Sequence, residues 1–492
     1  MRWPGAVRAR AVVWIAVLLA LGGWLVAWYT ASTGPSLRIV TVGTHPLAVA
    51  VDEQAGRVVI ADQGTNTARI LNEWTGRLVG AVVVGPQPVA IAVDEQTSHA
   101  FVVNGTVNNA LYPTGLGSVS MLDMRHSTLV RTVVVGSKPV TIAVDKSAHH
   151  VFVINALSPF SPSSMGTGLG SVSMLDTRSG RLLRTVTIGT DPGPVAVDET
   201  GGHVFVANML DNTVSMLDAH TGTVLRTIAV GARPAALAID GRTRRVFVAN
   251  GDDNSVTVLA TGSGALLHTI PVGNDPAAVA VDERNGRAFV ALANDFGAHR
   301  NAPGQVSVLD ARDGTPLDTV TVGSGAWAIA VDAATGRVFV ANGTDSRFGS
   351  TGTVSVLDAV TDAPVALVCA RNAPPALTGP PAATGTRASL RAYTPNGSGD
   401  PLAMDATTGK VFIVGVTHDT APNFFDSVRA AMQAVLDRTM GRAKGKPVSA
   451  TPPPLTGTGI VSILDTRQPW PSCRTAGLPL LTIASPLIVA RL

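Results

Sequence analysis

The sequence predicts an all-β chain: a single β-propeller of four-stranded antiparallel blades, with an N-terminal transmembrane helix. Three observations predict it. First, one pattern recurs. Its clearest copy, GTDPGPVAVDETGGHVFVANMLDNTVSMLD over residues 189–218, holds three short apolar runs, each rich in Val or Phe and closed by Asp or Asn. A fourth run, residues 224–230, leads into the next Gly-x-x-Pro. Second, the Asp closing the first run returns at Asp52, Asp94, Asp145, Asp198, Asp240, Asp282, Asp332 and Asp405, with 42 residues separating Asp198, Asp240 and Asp282 in turn. Four strands at such a period are the mark of propeller blades. The close of the third run, from Leu71-Asn72 to Leu464-Asp465, counts independently to eight. Third, residues 11–29 are apolar without a break.

At the N-terminus, residues 1–10 carry Arg2, Arg8 and Arg10, which orient this end toward the cytoplasm. The nineteen residues AVVWIAVLLALGGWLVAWY then span about 28 Å as a helix, close to the hydrocarbon thickness of a bilayer. Trp14, Trp24 and Trp28 suit its interfaces. A cleaved signal peptide is the competing reading. Cleavage after Ala31 puts Tyr29 where a small residue is required, which favours a retained anchor. Either way the propeller is expected outside the cytoplasm.

Residues 30–36 form a polar linker, 37–485 the propeller and 486–492 a tail. The run LRIVTV at 37–42 has the character of a fourth strand, like LRTVTI at 183–188, yet precedes the first blade. Paired beside Val461 to Leu464 it completes the last blade and closes the ring, leaving no unprotected sheet edge there. The C-terminal run at 478–485 competes for the same position, and a seven-bladed ring is the alternative closure.

Composition fits tightly turned sheets: 50 Gly, 32 Pro, 4% aromatic and 14% charged residues, with apolar residues at 46%. The three N-terminal arginines account for the whole net charge of +3, so the propeller itself is electrically balanced. Nucleic acid, which needs clustered Lys and Arg, is not an expected partner.

Within the repeats, the first strands are rich in Ala, as a crowded axis demands, and read as the inner ones. The second strands carry Phe101, Phe152, Phe205, Phe247, Phe289, Phe339 and Phe412, which read as packing between blades. Turns such as VDEQAGR, VDERNGR and LDAHTGT place an Asp to accept backbone N–H groups and a Gly for positive φ. The eight repeated Asp are too dispersed around a ring to share an ion, so no metal is expected.

A meander brings the second-to-third and fourth-to-first connections to one face. All large insertions lie there: 105–117, 156–170, 294–304, 343–352 and 416–459. Repeats four and five have almost none, so that face is lopsided. On the same face the residue before each Pro, at the channel mouth, varies: His45, Gln87, Lys138, Asp191, Arg233, Asp275 and Asp400, with Trp327 after the Ala326 that replaces Pro in repeat seven. These eight are the candidate ligand-binding residues, with ordinary solvated turns as the bland reading. In the longest insertion, Asn423 caps an expected helix from Phe424 to Met440. Phe425, Val428, Met432, Val435 and Leu436 share one of its faces and are candidate partner-binding residues. A Pro- and Ala-rich linker, 371–391, enters the last repeat. Cys369 and Cys473 each follow a third strand and are a candidate disulfide, or two free thiols.

RVFVAN at 245–250 and 337–342, with VSVLD at 306–310 and 354–358, resembles the YVTN β-propeller repeat over residues 37–368 and, more loosely, 400–485. The resemblance implies the fold and leaves function open, since such propellers host binding and catalysis alike. No nucleophile motif, haem-attachment pattern or His cluster appears, so no catalytic residue and no cofactor is expected. An exported, membrane-anchored binding or scaffold module is the favoured reading. The alternatives are a propeller enzyme, lactonase-like or cofactor-dependent dehydrogenase-like, with its site at the channel mouth, and a structural surface protein.

Overall fold

The computed structural model describes residues 38–105, 116–156, 168–293, 303–323, 325–332, 335–344, 352–369, 387–389, 402–405, 410–418 and 457–465. The apolar segment 11–29, the helix expected at 424–440 with its five candidate residues, Asp400, Cys473 and the run 478–485 lie outside them, as do most insertion residues. Among the described residues no helix is long and apolar enough to cross a membrane.

Eight antiparallel sheets follow one another along the chain, seven of four strands and one of five. In blade 4 the strands run Pro192–Asp198, His203–Asn208, Thr213–Asp218 and Val224–Ala229, in that spatial order. The first strands of successive blades touch one another in cyclic order, the last meeting Pro46–Asp52 of blade 1. They form the wall of the channel, as their small residues require.

Blade 8 is built from Leu402–Asp405, Lys410–His418 and Gly457–Asp465, and its outer strand is Arg38–Thr41 from the other end of the chain. Arg38 pairs with Ile463 and Thr41 with Ile460, antiparallel. The N-terminal strand therefore closes the ring, in the position for which 478–485 competes. Two sequence boundaries shift. The strands flanking the longest insertion extend, with Val416 opposite Gly459 and His418 opposite Gly457. The insertion itself is thus 419–456. Within the segment read as a linker, Arg387–Ser389 forms a short strand on the far end of Lys410–His418, the fifth of that sheet.

The core is made between blades. Phe247 of blade 5 packs with Val290 and Leu309 of blade 6, and Phe289 with Val338 and Leu357 of blade 7. Phe412 of blade 8 packs with Val49, Ile60 and Leu71 of blade 1, which joins the two ends of the chain through apolar surface as well as through the strand. All seven phenylalanines are fully buried. Removing one such ring typically costs about 3–5 kcal/mol.

Candidate functional site

Blades 1 to 6 begin at the channel mouth with a Gly-x-x-Pro loop, blade 7 with the same loop carrying Ala326 for the Pro, and the structure shows why the Gly is there. In blades 2 to 5 and 7 the Asn that closes the second strand lies against it, and in blade 6 Leu292 does. A Cβ on Gly231 would stand 2.7 Å from Asn250 Cγ, and the same contact recurs at 2.6 Å between Gly85 and Asn104, Gly136 and Asn155, and Gly323 and Asn342. The Asn cannot turn aside. Nδ2 of Asn250 donates to Ser255 Oγ at 3.0 Å and Thr257 Oγ1 at 2.9 Å on the third strand. Asn208 does the same with Thr213 and Ser215, both at 2.9 Å. In blade 1 an Asp takes this place: Asp62 Oδ1 accepts the N–H of His45 at 2.8 Å, and Arg69 Nε stands 3.6 Å from Oδ2.

Two residues on, the chain turns through the left-handed region. Gln87, Lys138, Asp191, Arg233 and Asp275 have φ of 51°, 49°, 49°, 50° and 50°. Gly325 takes the position in blade 7, with φ 64°. Non-glycine residues seldom adopt this conformation, so its repetition means the surroundings impose it. Two backbone contacts do so. The mouth residue's carbonyl accepts the N–H that follows the second strand: Gly105 to Gln87 at 2.8 Å, Ala156 to Lys138 at 2.9 Å, Met209 to Asp191 at 3.1 Å and Gly251 to Arg233 at 2.9 Å. Its N–H is taken, after the blades with short second-to-third turns, by an Asn of the preceding blade. Asn66 Oδ1 accepts from Gln87 at 2.9 Å, Asn212 from Arg233 at 3.0 Å and Asn254 from Asp275 at 2.9 Å. These bonds also place the two kinds of connection on one face. In blades 1 to 7 a β-bulge follows the mouth residue, as between Pro234 and Ala236, and in blade 7 Trp327 occupies it, its indole N–H buried without a partner among the described residues. Bulges re-aim side chains.

The side chains differ sharply in how they are held. Arg233 donates from Nε to Asp252 and from Nη2 to Asp275, both at 2.6 Å, linking blades 5 and 6 across the mouth. Burial pulls its pKa down, but the bond to Asp252 and the charge of Asp275 outweigh this and hold it above the usual guanidinium value. Burial pushes the Asp191 carboxyl up, with Lys138 opposing. Of the eight predicted mouth residues the structure brings seven to the expected face; Asp400 lies outside the described residues. His45 is held differently, by Asp62 and without a left-handed φ. The clamping Asn residues and the bulges were missed from sequence. Their only signal was the Asn ending RVFVAN together with the Gly that opens the loop in blades 1 to 7.

On the opposite face the repeated aspartates do cap turns. Asp198 Oδ1 accepts the N–H of Gly201 at 2.9 Å, and Asp240 Oδ1 that of Thr243 at 3.0 Å. Positive φ falls on Gly in blades 1, 4, 6 and 7, and on Ser98, His149 and Arg244 in blades 2, 3 and 5, whose turns have no Gly at that position. Among the described residues no group of three His, Cys, Asp or Glu is placed to hold a metal ion. Cys369 ends the outer strand of blade 7, and Cys473, its candidate partner, lies outside the described residues.

A family profile described as outer membrane protein assembly factor BamB matches residues 168–413, half of the chain. It is a β-propeller repeat family, a coarser grouping than the YVTN repeat that the residues resemble. Among curated proteins none matches with significance. Two solved structures are similar at 16% identity. One, a functionally unknown protein from Desulfotomaculum acetoxidans, has a TM-score of 0.47 over 63% of this chain and 94% of that one. The other, hydrazine synthase from Kuenenia stuttgartiensis, has a TM-score of 0.46 over 64% and 96%. Neither likeness bears on what this chain does.

Proposed function

This chain belongs to the family described as outer membrane protein assembly factor BamB, and on that premise we propose that it is an exported, membrane-anchored propeller that acts as a scaffold, engaging a protein partner through its loop-decorated face. The observation that carries the reading is the mouth. Five non-glycine residues stand in left-handed conformations on hydrogen-bonded backbone, on the face where all the insertions leave the ring. Such a face presents varied side chains and long insertions from a hydrogen-bonded frame, which is what a docking platform needs. The family's printed description, an assembly factor, is a role exercised through contact with other proteins. In this reading the repeats are of the YVTN kind. Residues 11–29 hold the ring at the membrane, and the stripe of Phe425, Val428, Met432, Val435 and Leu436 meets the partner.

The test compares the parent with a variant in which a short turn replaces residues 419–456. His418 and Gly457 are paired neighbours, so the gap closes without strain, and loop length costs little. Pull-down from membranes is expected to capture a partner with the parent and lose it with the variant, at unchanged circular dichroism and melting. Equal capture by both, or a variant that does not fold, would overturn the docking role. N-terminal sequencing of the membrane fraction is expected to begin at residue 1; a start near Ser32 refutes the anchor.

A further inference from the structure

The two faces of the ring are built differently. The mouth face carries all the insertions. On the opposite face every turn of blades 1 to 7 has one length. The second strand starts at the same step after the first-strand Asp, as from Asp52 to Arg57 and from Asp332 to Arg337. The outer turn is equally constant, as from Leu71 to Leu78 and from Leu217 to Val224. This turn face is therefore level, and in blades 1 to 6 every residue of it is described. Its rim is apolar. Each outer strand begins with a β-bulge, and in blades 1 to 6 the bulged residue is Val79, Val130, Leu183, Leu225, Leu267 or Leu317. Each is between 37% and 52% exposed. A bulge re-aims a side chain, and here it turns an apolar one out of the sheet six times. Scattered exposed Leu residues are ordinary, whereas one at the same place in every blade makes a ring. Trp74, 59% exposed, extends it at the outer turn of blade 1. Its indole lies against Gly56, where a Cβ would strike the ring. Glu199 and Glu283, exposed on the inner turns, keep the middle of the face polar.

The way the chain enters the ring selects what this rim meets. Arg38 pairs with Ile463 and Thr41 with Ile460, so the closing strand runs from the turn face toward the mouth. Residues 30–37 therefore join the ring on the turn-face side. Eight residues span at most about 29 Å, and climbing the outside of a blade along a six-residue strand takes about 20 Å of that. With residues 11–29 as the anchor, the turn face is the one that so short a tether brings to the bilayer. An apolar ring with a Trp around a polar centre has the composition of a surface seated at headgroup depth. Turns of one length let the whole ring touch a plane at once.

We propose that the turn face rests on the lipid bilayer, with Trp74 and the bulged Val and Leu side chains in the headgroup interface and the mouth directed away from it. The proposal rests on the reading of residues 11–29 as an anchor and is independent of partner docking. Tryptophan fluorescence of the full chain in phosphatidylcholine vesicles, with and without brominated acyl chains, tests it, because the bromine quenches only an indole that reaches the lipid. Trp74→Phe isolates the Trp74 signal by difference. Leu225→Trp adds a reporter three blades further round the rim, at an exposed position, and Gln87→Trp adds one at the mouth. The Trp74 signal and the signal gained at 225 are expected to be lost in brominated vesicles, and the signal gained at 87 to be kept. Either rim signal kept, or the mouth signal lost as fully as the rim signals, would overturn the proposal. Trp14, Trp24 and Trp28 report on the anchor in every variant. Quenching of these with both rim signals kept refutes the contact and leaves the anchor, whereas rim quenching in a chain that begins near Ser32 refutes the anchor and leaves the contact. The reporters at 225 and 87 decide even where Trp74→Phe does not fold.

Discussion

Gly231→Ala isolates the contact that sets the mouth. The glycine's φ is outside the left-handed region, so conformation does not forbid a side chain there; only the neighbour does. A Cβ would lie 2.7 Å from both Cγ and Nδ2 of Asn250 and 2.9 Å from its Cβ. Ordinary carbon contacts are about 3.5–4.0 Å, so one of the two must yield by close to an ångström. The Asn is tied by two hydrogen bonds to the third strand and the Gly by the closing of the loop. Overpacking of this kind costs about 1–3 kcal/mol. Asn250→Ala alone loses its two bonds, about 1–2 kcal/mol in all. In the double variant the new methyl group enters the space the amide has left, so the two losses are expected to fall short of additive by about 0.5–3 kcal/mol. Urea midpoints at constant slope read this cycle directly. Gly202→Ala is the control. Its φ is +68° and nothing stands nearer than 3.6 Å to the added Cβ, so its cost of about 1–2 kcal/mol is conformational and is expected to be unaffected by Asn250→Ala. Gly231→Ala within 0.5 kcal/mol of the parent, or a coupling of zero, would refute the account of the motif.

Two carboxylates are expected to respond to pH with opposite sign. The N–H of Thr221 holds the Asp218 carboxyl below its ordinary 3.8; its stabilising effect is present above that value and lost as pH falls through the folded-state value, so the stability gap between parent and Asp218→Asn is expected to shrink on acidification. Burial raises the Asp191 carboxyl above 3.8; its contribution is complete below that value and lost as pH rises through the folded-state value, so Asp191→Asn is expected to be more stable than the parent at neutral pH, with the gap closing in acid. Melting curves from acid to neutral pH check both, and the same sign for the two variants would contradict the assigned causes.

What the sequence made legible was whatever repeats along the chain. The Asp at the end of the first strands, the Phe of the second strands of blades 2 to 8 and the fourth-strand character of residues 38–41 are local patterns, and they landed where the pattern put them: a turn cap, as at Asp198, a packed ring and the closing strand of blade 8. Extending the strands around 419–456 was not legible, because Val416 and Gly459 become partners only through the sheet. The clamp between Gly231 and Asn250 was not legible for the same reason, though both residues are conspicuous in the repeat. Their contact is made across a strand and a loop, and no spacing in the chain announces it.

That hidden clamp explains why the mouth residues themselves look random in sequence. Backbone atoms, the Gly–Asn stack and the Asn caps of the preceding blade fix the left-handed turn; the mouth side chain contributes to none of these. Its identity is thereby released from the fold. A residue whose conformation is imposed from outside and whose side chain has no packing duty is free to be selected for what it meets in the channel. Gln87, Lys138, Asp191, Arg233 and Asp275 share one backbone shape while ranging from neutral to cationic to acidic, whereas the Pro and the Gly around them do not change and the Asn changes only in blade 6, to Leu292. The raised Asp191 carboxyl fits the same logic. A desolvated charge without a hydrogen-bond partner among the described residues opposes folding, and the clamp holds it at the mouth regardless.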